Sequence, residues 1–437
     1  MLTGTVSNGG RKAKTADFGA SRHFVGMSGY LGCLGSTPPQ SEQVPEMKPH
    51  YRIFFIQFAV ALSVGAFLSR LPDLQRKFGL AEGELGLLLA VLSSGVLCGL
   101  TFAVRFIERL GARKTAFVTV FGASLFLALI PWMPSAPSAV PLFFIAGIFT
   151  GAFEINANIE TDRHEALLKY RIMNRAHGMW SLGFCLTALV AAGMRQAAVS
   201  IELHTFLTLV IVLIAGSIVF SGIENAPKRR DAHPGHPPLI AFPTVGLLPL
   251  CLVGAAPLLA EGASVDWSAI YMRDVFAVEP FVGGLGVTIF SLLIAIGRLG
   301  MDPVVDRFNP RPVAITLLGI TVIGVMTVAT ATHPVVALAG FGLTGIGCSS
   351  VYPLAISAAA RRRDRPALVS VAALGQTTFL VFFAGPPLLG FVAEQLGIRF
   401  SYWTVVPVLV AALLVTRALA ADPAPVTDRP EPVQPHG

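Results

Sequence analysis

Charge is scarce in this chain. Only 13 % of its 437 residues are Asp, Glu, Lys or Arg, against roughly 25 % in a soluble domain. Cysteine is also sparse. The five residues Cys33, Cys98, Cys185, Cys251 and Cys348 show no CxxC and no metal-type spacing with histidine, which argues against a zinc or dithiol centre. Four lie singly in apolar runs and read as small buried hydrophobes. No GxxxxGK[ST] loop occurs, so ATP is not expected as the energy source. No pair of catalytic acids, nucleophile–base spacing or added soluble domain is present, so neither an enzyme nor a cofactor is expected. The net charge of +7 falls in short gaps between apolar runs. Without a basic face or a nucleic-acid motif, it does not point to a nucleic-acid partner.

What is abundant is apolar sequence. Hydrophobic residues make up 54 % of the chain and the mean hydropathy is +0.68, the composition of a polytopic membrane protein. A spanning helix needs about 20 apolar residues. Twelve runs meet that need, at 52–70, 84–105, 115–133, 139–159, 174–194, 203–222, 244–264, 281–301, 312–330, 334–357, 368–390 and 400–419. With the N-terminus inside, the inner gaps carry 17 Lys and Arg and the outer gaps 6. This places both termini in the cytoplasm and makes the chain a multi-pass membrane protein.

The longest interior gap, at 223–243, is rich in charge, Pro and Gly and reads as a cytoplasmic linker. It divides the chain into two six-helix halves, 51–222 and 244–420, a plan of repeated halves used by transporters. Residues 1–50, rich in Gly, Ser and Pro, and residues 421–437 are expected to be disordered cytoplasmic segments. Met47 is an alternative start.

The fourth run contains one acid, in GIFTGAFEINAN. An ionised carboxylate in hydrocarbon is costly, so Glu154 is expected to face a partner or a water-filled cavity. Asn158, four residues on, shares its helical face. There is also an internal echo. FIERLGARK follows the second run and VVDRFNPRP the eighth. Each puts an acid–Arg pair, Glu108–Arg109 and Asp306–Arg307, before a tight turn and a further base.

Both echoes resemble the loop 2–3 motif GxxxDRxGRR of the major facilitator superfamily, with Glu108 for the Asp in the first copy and Asn309 for a Gly in the second. Three longer strings, SRLPDLQRKFGLAEGELGLLL, RIMNRAHGMWSLG and AEGASVDWSAIYMRD, look like the bacterial MosC-like and YbjJ-like branch near the fucose permeases. The fourth run of that branch usually reads Asp-x-x-Met-Asn. Here Glu154 and Asn158 stand at the outer positions, with Ala157 for Met. The resemblance implies an all-α membrane protein of twelve transmembrane helices, acting as a monomeric secondary transporter. Its expected partners are the lipid bilayer, protons and a small polar solute such as a sugar, polyol or amino-cyclitol. A proton-driven drug or metabolite exporter is the alternative. The fifth run lacks the Gly-Pro motif frequent in drug antiporters.

In the superfamily the cavity is lined by runs one, four, seven and ten. Glu154 is the proton-coupling candidate, with Arg175 and His177 as candidate cations. Substrate-binding candidates are Asn156, Asn158, His177, Trp180, Glu261, Tyr352 and Gln376. Gating or structural candidates are Arg70, Glu108, Arg109, Arg175, Asp266, Trp267, Asp306 and Arg307. With the fourth run entered at Pro141, Glu154 is expected roughly 20 Å down, in the cytoplasmic half. With the seventh starting at Thr244, Glu261 is expected roughly 25 Å along, near the outer mouth. Asp266 and Trp267 would then lie at or above the boundary, Trp267 as an interfacial anchor or a gate.

Overall fold

The computed structural model describes residues 49–169, 172–221, 241–362 and 364–420. The expected extension before Pro49, linker positions 223–240 and the tail at 421–437 lie outside the described residues. The first half comprises α1 (Pro49–Leu68), the short α2 (Leu71–Phe78), α3 (Glu82–Leu110), α4 (Ala112–Leu129), α5 (Ala136–Leu168), α6 (Met173–Gln196) and α7 (Ile201–Ser221). The second half comprises α8 (Leu248–Phe276), α9 (Pro280–Gly300), the short α10 (Asp302–Phe308), α11 (Pro310–Thr330), α12 (Pro334–Cys348), α13 (Val351–Ala360), α14 (Ala367–Leu396) and α15 (Ile398–Leu414).

Each of the twelve apolar runs coincides with a helix, α12 and α13 together forming one stretch. Ten stretches are long and apolar enough to cross a membrane, and the two shorter apolar helices, Ile201–Ser217 and Ile398–Leu414, complete the set. Two helices run well past the expected ends: α5 to Leu168 and α8 to Phe276. Hydropathy falls where Glu160, Asp162 and Asp266 enter. The backbone stays helical there because a helix satisfies its own N–H and C=O groups whatever its side chains do.

The internal echo is also a backbone echo. Gly111, between α3 and α4, has φ 78° and ψ 158°, and Asn309, between α10 and α11, has φ 67° and ψ 154°. Positive φ favours Gly, and Asn is among the few other residues that tolerate it. Asn309 therefore makes the same turn as the Gly it replaces. The acid–Arg pairs beside the two turns, Glu108–Arg109 and Asp306–Arg307, are exposed.

Inside the first half, α3 and α5 cross at glycine. A Cβ on Gly147 would lie 2.1 Å from the Leu92 carbonyl oxygen, and one on Gly95 would lie 2.1 Å from that of Phe144. Backbones touch here with no side chain between them, as small residues permit in membrane helix pairs.

The halves meet along α3 with α14 and α6 with α9. They are tied at the end of the bundle that carries α2. Arg273 donates to Gln75 at 3.0 Å, Gln196 donates to Glu279 at 3.3 Å, and the Gly83 N–H donates to Glu394 at 3.1 Å.

Candidate functional site

Glu154 is the 19th of the 33 residues of α5, roughly 27 Å from its start, and so near the middle of the helix. Glu261 is the 14th of the 29 residues of α8, also near the middle. Both acids are half-buried. An α5 acid from the first half and an α8 acid from the second stand at similar depth.

Between them lie two groups from the helices where the halves meet. His177 on α6 sits in the fields of Glu154, Arg298 and Glu261. Arg298 on α9 donates from Nη1 to Ser181 Oγ on α6 at 2.8 Å, and its Nη2 lies 3.4 Å from both carboxylate oxygens of Glu261. A chain of ionisable groups, Glu154–His177–Arg298–Glu261, thus crosses from one half to the other. Arg298 and Ser181 were not among the sequence candidates. The signal was present, since an arginine in SLLIAIGRLG is an ionisable residue in an apolar run, the same criterion that selects Glu154.

Asn158 donates to Glu154 Oε1 at 3.0 Å, so the shared helical face is occupied as expected from the spacing. Tyr352 lies within the field of Glu154 and beside Thr378, and it meets Phe379 edge-on at 6.4 Å. It follows a break at Ser349–Ser350, where α12 stops and α13 begins. Ser349 sits over Gly297, where a Cβ would approach the Ser349 Cβ to 2.5 Å. The break is therefore packed against the residue preceding Arg298. Trp180 stacks on Phe184 at 5.4 Å and stays half-buried. A Cβ on Gly262, next to Glu261, would meet nothing within 4 Å. Glu154, Asn158, His177, Glu261, Arg298 and Tyr352 are thus polar groups within apolar helices that each keep part of their surface accessible.

Other candidates lie elsewhere. Asn156 is 2 % exposed and donates to the Ala112 carbonyl at 3.1 Å, on the side of α5 turned toward α4. Two residues along a helix is more than half a turn, which takes it off the Glu154 face. Gln376 accepts from the Ala241 N–H at 2.8 Å, holding the chain that leads into α8. Arg175 is exposed at the start of α6, and the central cation is Arg298 instead. Trp267 is fully buried and packs close to Gly390 of α14. Its full burial within the protein is not the lipid–water exposure of an interfacial anchor. Asp266, half-buried beside it, lies within α8.

Arg70 belongs to a second cluster, at the α2 end. It is 3 % exposed and donates to Asp73 through Nε and to the Val199 carbonyl through Nη2 at 2.7 Å. Arg195 reaches Asp73 at 3.4 Å and Arg76 reaches it at 2.5 Å. Burial alone would raise the Asp73 carboxyl. Arg195 and Arg70 outweigh it, aided by hydrogen bonds from Arg70 and Arg76, and hold the group below the ordinary carboxylate range.

Residues 250–436 match the family model of the Major Facilitator Superfamily. The chain is 27 % identical over 342 residues to an uncharacterized transporter of Sinorhizobium fredii, covering 78 % of this chain and 90 % of that one. It is 24 % identical over 364 residues to an uncharacterized MFS-type transporter of Yersinia pestis, covering 83 % and 92 %. It is 24 % identical over 348 residues to the membrane protein MosC of Rhizobium meliloti, covering 79 % and 84 %. Among solved structures it is similar in fold to a D-xylose-proton symporter, with a TM-score of 0.67 at 14 % identity over 84 % of this chain and 97 % of that one. A nucleoside transporter, NupG, gives 0.63 at 13 % identity over 85 % and 98 %.

Proposed function

Since the chain belongs to the major facilitator superfamily and is a transporter of that type, we propose that it moves a small polar solute by alternating access, driven by protons. The solute class is a sugar, polyol or amino-cyclitol. The site is the chamber between Glu154 and Glu261, reached from one face of the inner membrane at a time, with both termini in the cytoplasm. The observation that carries this reading is the position of Glu154. It is an acid at mid-helix, bonded to the neutral Asn158 and facing a chain of charge that ends on the other half.

In this reading Glu154 exchanges a proton as the halves rock. Burial favours the neutral acid, and a nearby cation or water favours the carboxylate. Arg298, on the other half, is the cation whose approach changes with the relative position of the halves. Asn158 and Tyr352 offer hydrogen bonds to substrate hydroxyls, and Trp180 offers a face for an apolar ring surface. Charge asymmetry puts the α2 end outside. The bonds between halves at that end then describe a protein shut toward the outside.

A thermal-shift screen of purified protein at two pH values tests the reading, with inositols, amino-inositols, deoxysugars, hexoses and lipophilic cations. A ligand bound only by the folded state at a hundredfold excess over Kd stabilises it by about 2.7 kcal/mol. A pH-sensitive shift with a polyol or sugar, lost in Glu154→Gln, is the expected result. A shift with lipophilic cations alone would overturn the solute assignment in favour of an exporter.

A further inference from the structure

The cluster around Asp73 has more donors than acceptors. Arg70 and Arg195 grip the same carboxylate, and Arg76 reaches it from the surface. One acid thus serves three cations, two of them almost wholly buried, at 3 % and 8 % exposure. Even so, Nη1 of Arg70 and Nη1 of Arg195 are buried without a protein partner. His204, on the first turn of α7, is 2 % exposed and has no protein partner on either ring nitrogen. Its surroundings are electrically those of the cluster, with Arg70 and then Asp73 as the charged groups it faces. The Ser69 hydroxyl, on the residue preceding Arg70, is also buried and unpartnered.

Buried guanidinium N–H groups in native proteins almost always find an acceptor, and a guanidinium cannot escape by losing its proton. The local acceptors are already used. Asp73 is taken by the three arginines, and the Val199 carbonyl by Arg70 Nη2. That carbonyl follows Ala198, a non-glycine residue held at φ 54°, so the connection between α6 and α7 is shaped around Arg70. What the cluster lacks is one small negative acceptor. A large anion would need an opening that the low exposure of these side chains does not provide.

We propose that Arg70, Arg195 and His204 form a binding site for a small monovalent anion, chloride or another halide, in the first half at the α2 end. The ion takes N–H donors from the two arginines and from the neutral imidazole. It balances the excess positive charge and pins α6 and α7 to the junction of α1 and α2. This site is separate from the central chamber and does not rest on the transport reading.

The test is thermal unfolding of the purified full chain at constant ionic strength and neutral pH, titrating sodium chloride or bromide against sodium gluconate. The expected result is a saturable rise in melting temperature with either halide and none with gluconate. Arg195→Gln should weaken the half-saturating halide concentration at least tenfold. If that variant does not fold, anomalous scattering from bromide-soaked wild-type crystals replaces it, with the ion expected between Arg70 and Arg195. Identical melting curves in chloride and gluconate would overturn the proposal in favour of ordered water. A halide effect that never saturates, or that is unchanged in Arg195→Gln, would overturn it as a general salt effect.

Discussion

Arg298 on α9 donates to the Ser181 hydroxyl on α6 at 2.8 Å, a hydrogen bond between the two halves of the molecule beside the central acids. The same guanidinium faces Glu261 from its own half. One side chain thus senses both the relative position of the halves and the charge state of the chamber. A rocking motion that separates α6 from α9 breaks the first contact and leaves the second intact.

Arg298→Gln should therefore lower stability by about 1–3 kcal/mol, less than the 3–5 kcal/mol for breaking a fully buried pair, because this pair is half-buried. Glu261→Gln added to it should recover part of the loss, since no charge is then left uncompensated. Thermal unfolding of the two single variants and the double variant measures this. Strictly additive losses would show that Arg298 and Glu261 are not coupled.

Glu154→Gln should abolish uptake driven by a pH gradient while leaving exchange of solute across the membrane in place. The amide keeps the shape and a hydrogen bond to Asn158 but cannot carry a proton. Proteoliposomes loaded with the solute found by thermal shift allow both modes to be measured in one preparation. Full accumulation by the variant would remove Glu154 from the coupling step.

Much of this was legible in the sequence because the bilayer imposes a length on each helix, and length can be counted. The twelve runs and the Glu154–Asn158 pair followed from spacing alone. Helix ends did not follow, because hydropathy drops at Asp266 and Glu160 while the backbone stays helical. Trp267, expected as an interfacial anchor or a gate, is a core residue. Arg298 lies near the inner end of its run, where arginine is ordinary. Only the fold shows that α9 presents it to Ser181 and Glu261. Asn156 was a candidate by proximity in sequence, and helical phase turns it toward α4.

Gly86→Leu should open the α2 end. Even a Cβ at this position would lie 2.5 Å from the Pro386 carbonyl oxygen on α14, and backbone cannot yield as a side-chain tip does. The closed approach of α3 to α14 is then lost, while the packing within each half is untouched. A cysteine placed at Gly262, which faces open space, reports the result in a background free of reactive native cysteines. Its labelling by a membrane-impermeant maleimide from the outside should accelerate in the Gly86→Leu protein. An unchanged rate would mean that this contact does not govern closure.

Asp73→Asn should be costly at neutral pH and cheap in acid. Removing the carboxylate leaves Arg70 and Arg195 buried side by side, a loss on the order of 3 kcal/mol. The folded-state carboxyl titrates below its ordinary value of 3.8. Its contribution is therefore fully present above that value and fades as pH falls through the depressed folded-state value. The gap in melting temperature between wild type and Asp73→Asn should stay constant from about pH 7 to pH 5 and close below about pH 4. The comparison is best run in gluconate, so that no halide substitutes for the missing charge. A gap that widens on acidification would mean that Asp73 is bound more tightly as the neutral acid, and that the arginines beside it are not what holds it ionised.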